Sequence, residues 1–146
     1  MPLLEQVLEK NPQKVKLAFK NFPIRSHKFA ATAAMAALVA QGHGKFWAFH
    51  DRLFENYDSL SNEKIREIAR DLGLDEAKFE EGLKNPLFVT RIRRDIQDGK
   101  NAGVDGTPTV FVNGRRLRKR SIEGFQKLID KELGKLEKSK PGSAGN

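Results

Sequence analysis

Residues 106–114 read Gly106-Thr107-Pro108-Thr109-Val110-Phe111-Val112-Asn113-Gly114, and the fold class follows from how they are read. Thr109 to Val112 are all β-branched or aromatic, the side chains that fit a pleated surface. Asn113-Gly114 follows at once, and both positions tolerate the positive φ that a two-residue hairpin turn demands. Arg115 to Arg118 then reads as the return strand, which predicts a hairpin over 109–118. Pro108 stands immediately before the first strand, a position where its missing N–H removes no ladder bond.

A lone hairpin is marginal in water, so it needs partners from elsewhere in the chain. Upstream, Val15-Lys16-Leu17-Ala18-Phe19-Lys20 alternates apolar and polar residues, which predicts a strand over 15–20 that ends at Phe22-Pro23. Between strand and hairpin the spacing is helical, giving an insertion over 26–103. Ser26 is the expected cap of a helix from His27 to about Gln41, and Gly42 and Gly44 break it. Lys45 to Tyr57 carries Phe46, Trp47, Phe49, Leu53 and Phe54 on a broad apolar face. Ser61 caps a third helix to Leu72, with Gly73 at its left-handed stop, and Asp75 caps a short fourth. Asn85-Pro86 opens a fifth, proline being harmless at the first helical position. The chain starts with a helix over 2–10, stopped by Asn11-Pro12, and closes with a helix over 121–133 capped by Ser121. Residues 134–146 are charged, then small and polar, and read as a disordered tail. The order predicts one α/β domain over 1–133 with a helical lobe inserted in it.

Composition narrows the chemistry. The 146 residues include no cysteine, which excludes thiol redox catalysis, cysteine nucleophiles and thiolate metal sites by this chain. Phe29 to Ala40, the longest apolar stretch, is too short to cross a bilayer, so no membrane span is expected. Met1 to Lys10 carries two glutamates and lacks the apolar core of a secretory signal. The net charge of +8 fits a soluble basic surface or a polyanion binder.

Several motifs, taken in order, resemble one family. They are Val15 to Pro23, the alanine-rich helix, Gly44-Lys45-Phe46-Trp47, His50-Asp51, Leu53-Phe54, Leu72-Gly73-Leu74-Asp75, Gly106 to Gly114, and Phe125-Gln126-Lys127-Leu128-Ile129-Asp130. Together they resemble the DsbA-like thioredoxin-fold thiol–disulfide oxidoreductases over roughly Pro2 to Leu133. That resemblance implies a cis-proline at Pro108 and makes Thr107, Pro108 and Thr109 the candidate peptide-binding residues, with an extended peptide or protein segment as partner. It also implies a central strand leading into a Cys-x-x-Cys motif, of which Pro2 to Leu8 resembles only the helix that follows. The expected fold is therefore an incomplete thioredoxin-like α/β fold with an inserted helical lobe. The implied gap lies between Val15–Lys20 and Thr109–Val112. A buried backbone group without a partner costs about 1–3 kcal/mol, so completion by dimerisation or strand exchange is expected, with a homodimer favoured. Members of the family work outside the cytoplasm, whereas this sequence shows no export signal.

Other residues were weighed on their own chemistry. Phe46, Trp47, Phe49 and Phe54 fit either a core or a peptide groove, core being the commoner use of such spacing. His27, His43 and His50 match no metal-ligand spacing, so neither metal nor any other cofactor is expected. Arg115, Arg116, Arg118, Lys119 and Arg120 form the densest basic cluster, which fits a charged sheet edge or an anion-binding patch. Three functions stay in play: a redox-inactive DsbA-like domain that binds peptide, a fragment of an active oxidoreductase, and a nucleic-acid or polyanion binder. Nucleic acid is the least favoured partner, because no aromatic residues interleave with the basic cluster.

Overall fold

A computed structural model describes residues 2–139. In chain order its elements are α1 (Pro2–Lys10), α2 (Ala30–Gly42), α3 (Phe46–Glu55), a 3₁₀ turn (Tyr57–Ser59), α4 (Asn62–Asp71), α5 (Glu76–Gly82), α6 (Pro86–Asn101), β1 (Phe111–Val112), β2 (Arg115–Arg116) and α7 (Ile122–Ser139). They divide into two compact units. The first holds described residues 2–18 and 107–139, and the second is Phe19–Gly106.

In the first unit the hairpin forms where the sequence places it, but shorter. Phe111 pairs with Arg116 and Val112 with Arg115, antiparallel. Asn113 at φ 46° and Gly114 at φ 77° supply the positive-φ turn. The Leu117 N–H donates to the Val110 carbonyl at 2.8 Å, extending the pairing by one residue on each side. Val7, Leu117, Phe125 and Ile129 form the buried core, with Leu4, Val15, Val110 and Val112 packed against it. Its polar stitch is a reciprocal amide pair. Asn11 Nδ2 donates to Gln126 Oε1 at 3.0 Å, and Gln126 Nε2 donates back to Asn11 Oδ1 at 3.1 Å. Asn11 thus ends α1 and also ties it to α7.

Two expectations about this unit are corrected. Val15–Lys20 is extended but is not a strand: among the described residues the sheet has two strands, β1 and β2. The period-two pattern survives as alternating burial, with Val15 and Leu17 half-buried and Lys16 and Ala18 exposed. What the segment lacks is a ladder partner. The closing helix does not stop at Leu133 either. Ser121 Oγ accepts from the Gly124 N–H at 3.2 Å, and α7 runs on to Ser139. Gly134 is one poor helix former among good ones, and Lys135, Leu136, Glu137 and Lys138 carry the helix past it. The expected tail is thus helical to Ser139, and residues 140–146 lie outside the described residues.

The second unit is helical. Ser61, Asp75 and Asn85 each cap the helix that follows, accepting from Lys64, Lys78 and Leu87 N–H groups at 3.0, 2.9 and 2.9 Å. Ser26 does not act as a cap. Turns close through His27 N–H to Ile24 O and Ala30 N–H to His27 O, so α2 starts at Ala30 behind an uncapped Phe29. Around α2 the core gathers Ala36, Ala37, Val39, Ala40, Phe49, Leu53, Ile65, Ile68, Ala69, Leu74 and Phe79. Alanine lets neighbouring backbones approach. At Gly82 the fit is tighter still, since an added Cβ would stand 2.7 Å from a Val39 methyl. Asp95, buried on α6, holds the incoming chain by accepting from the Asn21 N–H at 2.9 Å and from its Nδ2 at 3.2 Å.

Candidate functional site

The loop picked out by sequence opens the C-terminal part of the first unit. The Thr107–Pro108 peptide bond is cis. Thr107 and Pro108 are exposed and Thr109 is half-buried. Arg120 anchors the loop, its Nη1 donating to the Pro108 carbonyl at 3.3 Å. An exposed loop just ahead of a strand suits the addition of an extended peptide.

Beside the loop the same unit contains a groove of about 230 Å³. One side is Lys14–Leu17 and another Val110–Asn113, while α1 and α7 contribute Leu4, Val7, Phe125 and Ile129. Backbone hydrogen bonding is incomplete on both sides. Residues 15–18 make no backbone hydrogen bond among the described residues. On the hairpin, Val110 and Val112 direct their polar groups to β2, so the alternation of an antiparallel pair turns the N–H and C=O of Phe111 the other way.

The basic cluster does not act as a block. Arg115 Nε pairs with Glu132 at 2.8 Å, and Lys135 meets the same carboxylate at 2.7 Å. These two cations, Lys135 first, hold the Glu132 carboxyl below its ordinary value. Arg120 is engaged at Pro108. Arg115, Arg116, Arg118, Lys119 and Arg120 are all exposed, but only part of the set is available to an anion.

In the second unit the aromatic group splits. Phe49 is fully buried against Phe79, their ring centres 6.1 Å apart, whereas Trp47 and Phe54 are 44% and 56% exposed. His50 takes the structural place beside Asp51 that its sequence position suggests. It is buried, and the rings of Phe54 and Phe19 lie 4.7 and 4.9 Å from its own. Its Nδ1 meets Asp51 Oδ1 at 3.1 Å, while Nε2 has no hydrogen-bond partner. Its signals in the sequence were the His50-Asp51 pair and its place inside an aromatic run. His27 lies elsewhere in this unit, edge-on to Tyr57 at 6.0 Å, and His43 follows α2.

With this geometry in hand, known proteins give the family. The family described as Thioredoxin matches residues 2–131. The chain belongs to the thioredoxin family. A solved thioredoxin-like oxidoreductase from Silicibacter pomeroyi DSS-3 superimposes on this thioredoxin-family chain with a TM-score of 0.78 at 24% identity, covering 92% of it and 77% of the other. Among curated proteins, the probable disulfide bond formation protein D of Bacillus anthracis is 30% identical over 141 residues, 91% of this chain and 64% of that protein. A Na(+)/H(+) antiporter NhaA of Herminiimonas arsenicoxydans is 37% identical over 92 residues, covering 63% of this chain. The thioredoxin-family chain spans only 15–16% of the length of the first such antiporters it matches. It is a DsbA-like thioredoxin-fold domain without a cysteine, and with no thiolate it performs no thiol–disulfide exchange itself. No described helix is long and apolar enough to cross a membrane.

Proposed function

We propose that this chain is a redox-inactive DsbA-like domain that binds extended polypeptide at the loop Thr107-Pro108-Thr109. The observation that carries the reading is the exposure of Thr107 and Pro108 in a loop anchored by Arg120 and leading to β1. Strand addition needs such a rim, because main-chain hydrogen bonds supply affinity whatever the partner's sequence. The disulfide chemistry named for the Bacillus anthracis relative is not carried over, since attack on a disulfide requires a thiolate.

The test pairs two assays. Reduced, carboxymethylated α-lactalbumin serves as a permanently unfolded probe in titration calorimetry. It is expected to bind the unaltered chain. Thr107→Pro, which removes a main-chain donor from the rim, is expected to weaken it at least fivefold, and Arg120→Ala to weaken it less. Insulin reduction by dithiothreitol is expected to run at the uncatalysed rate. Binding untouched by Thr107→Pro would refute the loop, and turnover above background would refute redox inactivity. Light scattering on the same samples reports whether two copies associate.

A further inference from the structure

We infer that the polypeptide taken at Thr107-Pro108-Thr109 is acidic, its carboxylates held by Arg118, Lys119 and Arg120. This selectivity rests on the reading of that loop as the peptide site. Strand addition draws affinity from main-chain hydrogen bonds and does not choose among sequences. The three loop residues are themselves uncharged, so selection falls to the side chains beside them.

Two contacts lay the basic segment alongside the loop. The Leu117 N–H donates to the Val110 carbonyl at 2.8 Å, and Arg120 Nη1 donates to the Pro108 carbonyl at 3.3 Å. Arg118 and Lys119 stand between these two ties. The backbone that carries them is fixed at both ends. Leu117 is buried in the core of the first unit. Ser121 donates its N–H to the Lys119 carbonyl at 3.0 Å and caps α7 by accepting from the Gly124 N–H. An added Cβ at Gly124 would run into that same Lys119 carbonyl, so α7 is pressed close against the turn. A partner therefore finds the cations on a backbone that needs little ordering.

Their charge is unmet. Arg118 and Lys119 are exposed and form no ion pair among the described residues. Arg120 meets only a neutral carbonyl, which leaves its positive charge in place. Arg115, by contrast, is held by Glu132. The neighbouring carboxylates are taken: Glu123 is engaged by Ser121 at the start of α7, and Asp105, ahead of the loop, has a partner within the chain. Arg118, Lys119 and Arg120 do not border the groove beside β1, so this charge owes nothing to that slot. A polynucleotide fits less well than a peptide, because the three cations are flanked by Leu117 and Ser121, with no aromatic ring for a base to stack on. Exposed ion pairs are individually weak, so three cations acting together set the expected preference at about tenfold. Repulsion of a basic peptide sharpens the choice.

The experiment uses the full chain and three fluorescein-labelled heptapeptides, followed by fluorescence polarisation. They are Glu-Asp-Val-Thr-Val-Asp-Glu, a version with Gln and Asn for its acids, and a version with Lys. The acidic peptide is expected to bind at least tenfold tighter than the neutral one and the Lys peptide more weakly than either, with the preference shrinking as salt rises. Arg118→Glu with Lys119→Glu is expected to reverse the order while the neutral peptide stays within threefold. Thr107→Pro is expected to weaken the acidic and neutral peptides alike, at least fivefold. Equal affinity for the acidic and neutral peptides, both sensitive to Thr107→Pro, would overturn the acidic preference and leave the loop as a peptide site. Acidic binding indifferent to Thr107→Pro but lost on charge reversal would overturn it as well, making the cluster a separate anion site. So would a single-stranded oligonucleotide that binds more tightly than the acidic peptide and displaces it. No binding of any of the three to a chain whose circular dichroism shows it folded would remove the loop reading and the preference together.

Discussion

Asp95→Ala tests how the second unit holds the chain that enters it. Asp95 and Asn21 are both buried, at 6% and 5% exposure. One carboxylate oxygen accepts from the Asn21 N–H at 2.9 Å and from Asn21 Nδ2 at 3.2 Å. A hydrogen bond to a charged group contributes about 1.5–3 kcal/mol, and a buried donor left without a partner costs about 1–3 kcal/mol. Because the two bonds share one oxygen they do not simply add, and about 2–4 kcal/mol is the expected loss. Lys20 also reaches Asp95, at 3.3 Å, but its side chain is 63% exposed, so screening leaves that pair little weight. Asp95→Asn keeps an acceptor and is expected to lose about half as much. Urea unfolding followed by fluorescence is the assay. Trp47 is the only tryptophan and lies in the same unit. With a denaturant slope of about 1–3 kcal/mol per molar, the midpoint should fall by roughly 1–2 M. A midpoint within about 0.2 M of the unaltered chain would refute the anchoring role. A loss of the same size from Lys20→Ala alone, vanishing when Asp95 is already alanine, would show that the ion pair, not the Asn21 donors, does the holding.

Three further outcomes follow from packing and charge. Gly124→Ala places a Cβ into the Lys119 carbonyl oxygen, so thermal unfolding should report a loss of about 1–3 kcal/mol. Phe125→Ala empties the buried centre of the first unit and should cost about 3–5 kcal/mol in the same measurement. Arg66 holds Glu80 through Nε and Nη2 and keeps its carboxyl below the ordinary value of 4.5. A depressed carboxylate adds stability above its unfolded value and loses it as pH falls through the folded one. The stability difference between the unaltered chain and Glu80→Gln should therefore be constant near neutrality and vanish in acid once the pH has fallen through the depressed folded value; a difference that persists in strong acid would contradict the pairing.

The elements legible in the sequence are those whose signal is local. Asn113-Gly114 gave the turn because its backbone demand is met by those two residues alone. Ser61, Asp75 and Asn85 gave three helix starts because a cap needs only a side-chain oxygen and an N–H two or three residues on. Ser26 looked the same but failed, because turns through Ile24 and His27 already shape the chain there. The end of α7 was misjudged at Gly134, where the helix formers that follow outweigh one glycine. At the site, the Thr107-Pro108 loop was readable as a motif. The groove was anticipated only through the resemblance, as the gap between Val15–Lys20 and Thr109–Val112, since it is made by residues more than ninety positions apart in the chain.

By itself the sequence determined the chemistry that this chain is without: with no cysteine, it has no sulfur to attack a disulfide. It also set the family, through motifs that keep their order from Pro2 onward. Only the tertiary structure decided whether Val15–Lys20 is a strand. Alternation fixes which side chains face inward, but a strand exists only when another backbone lies alongside to accept its hydrogen bonds.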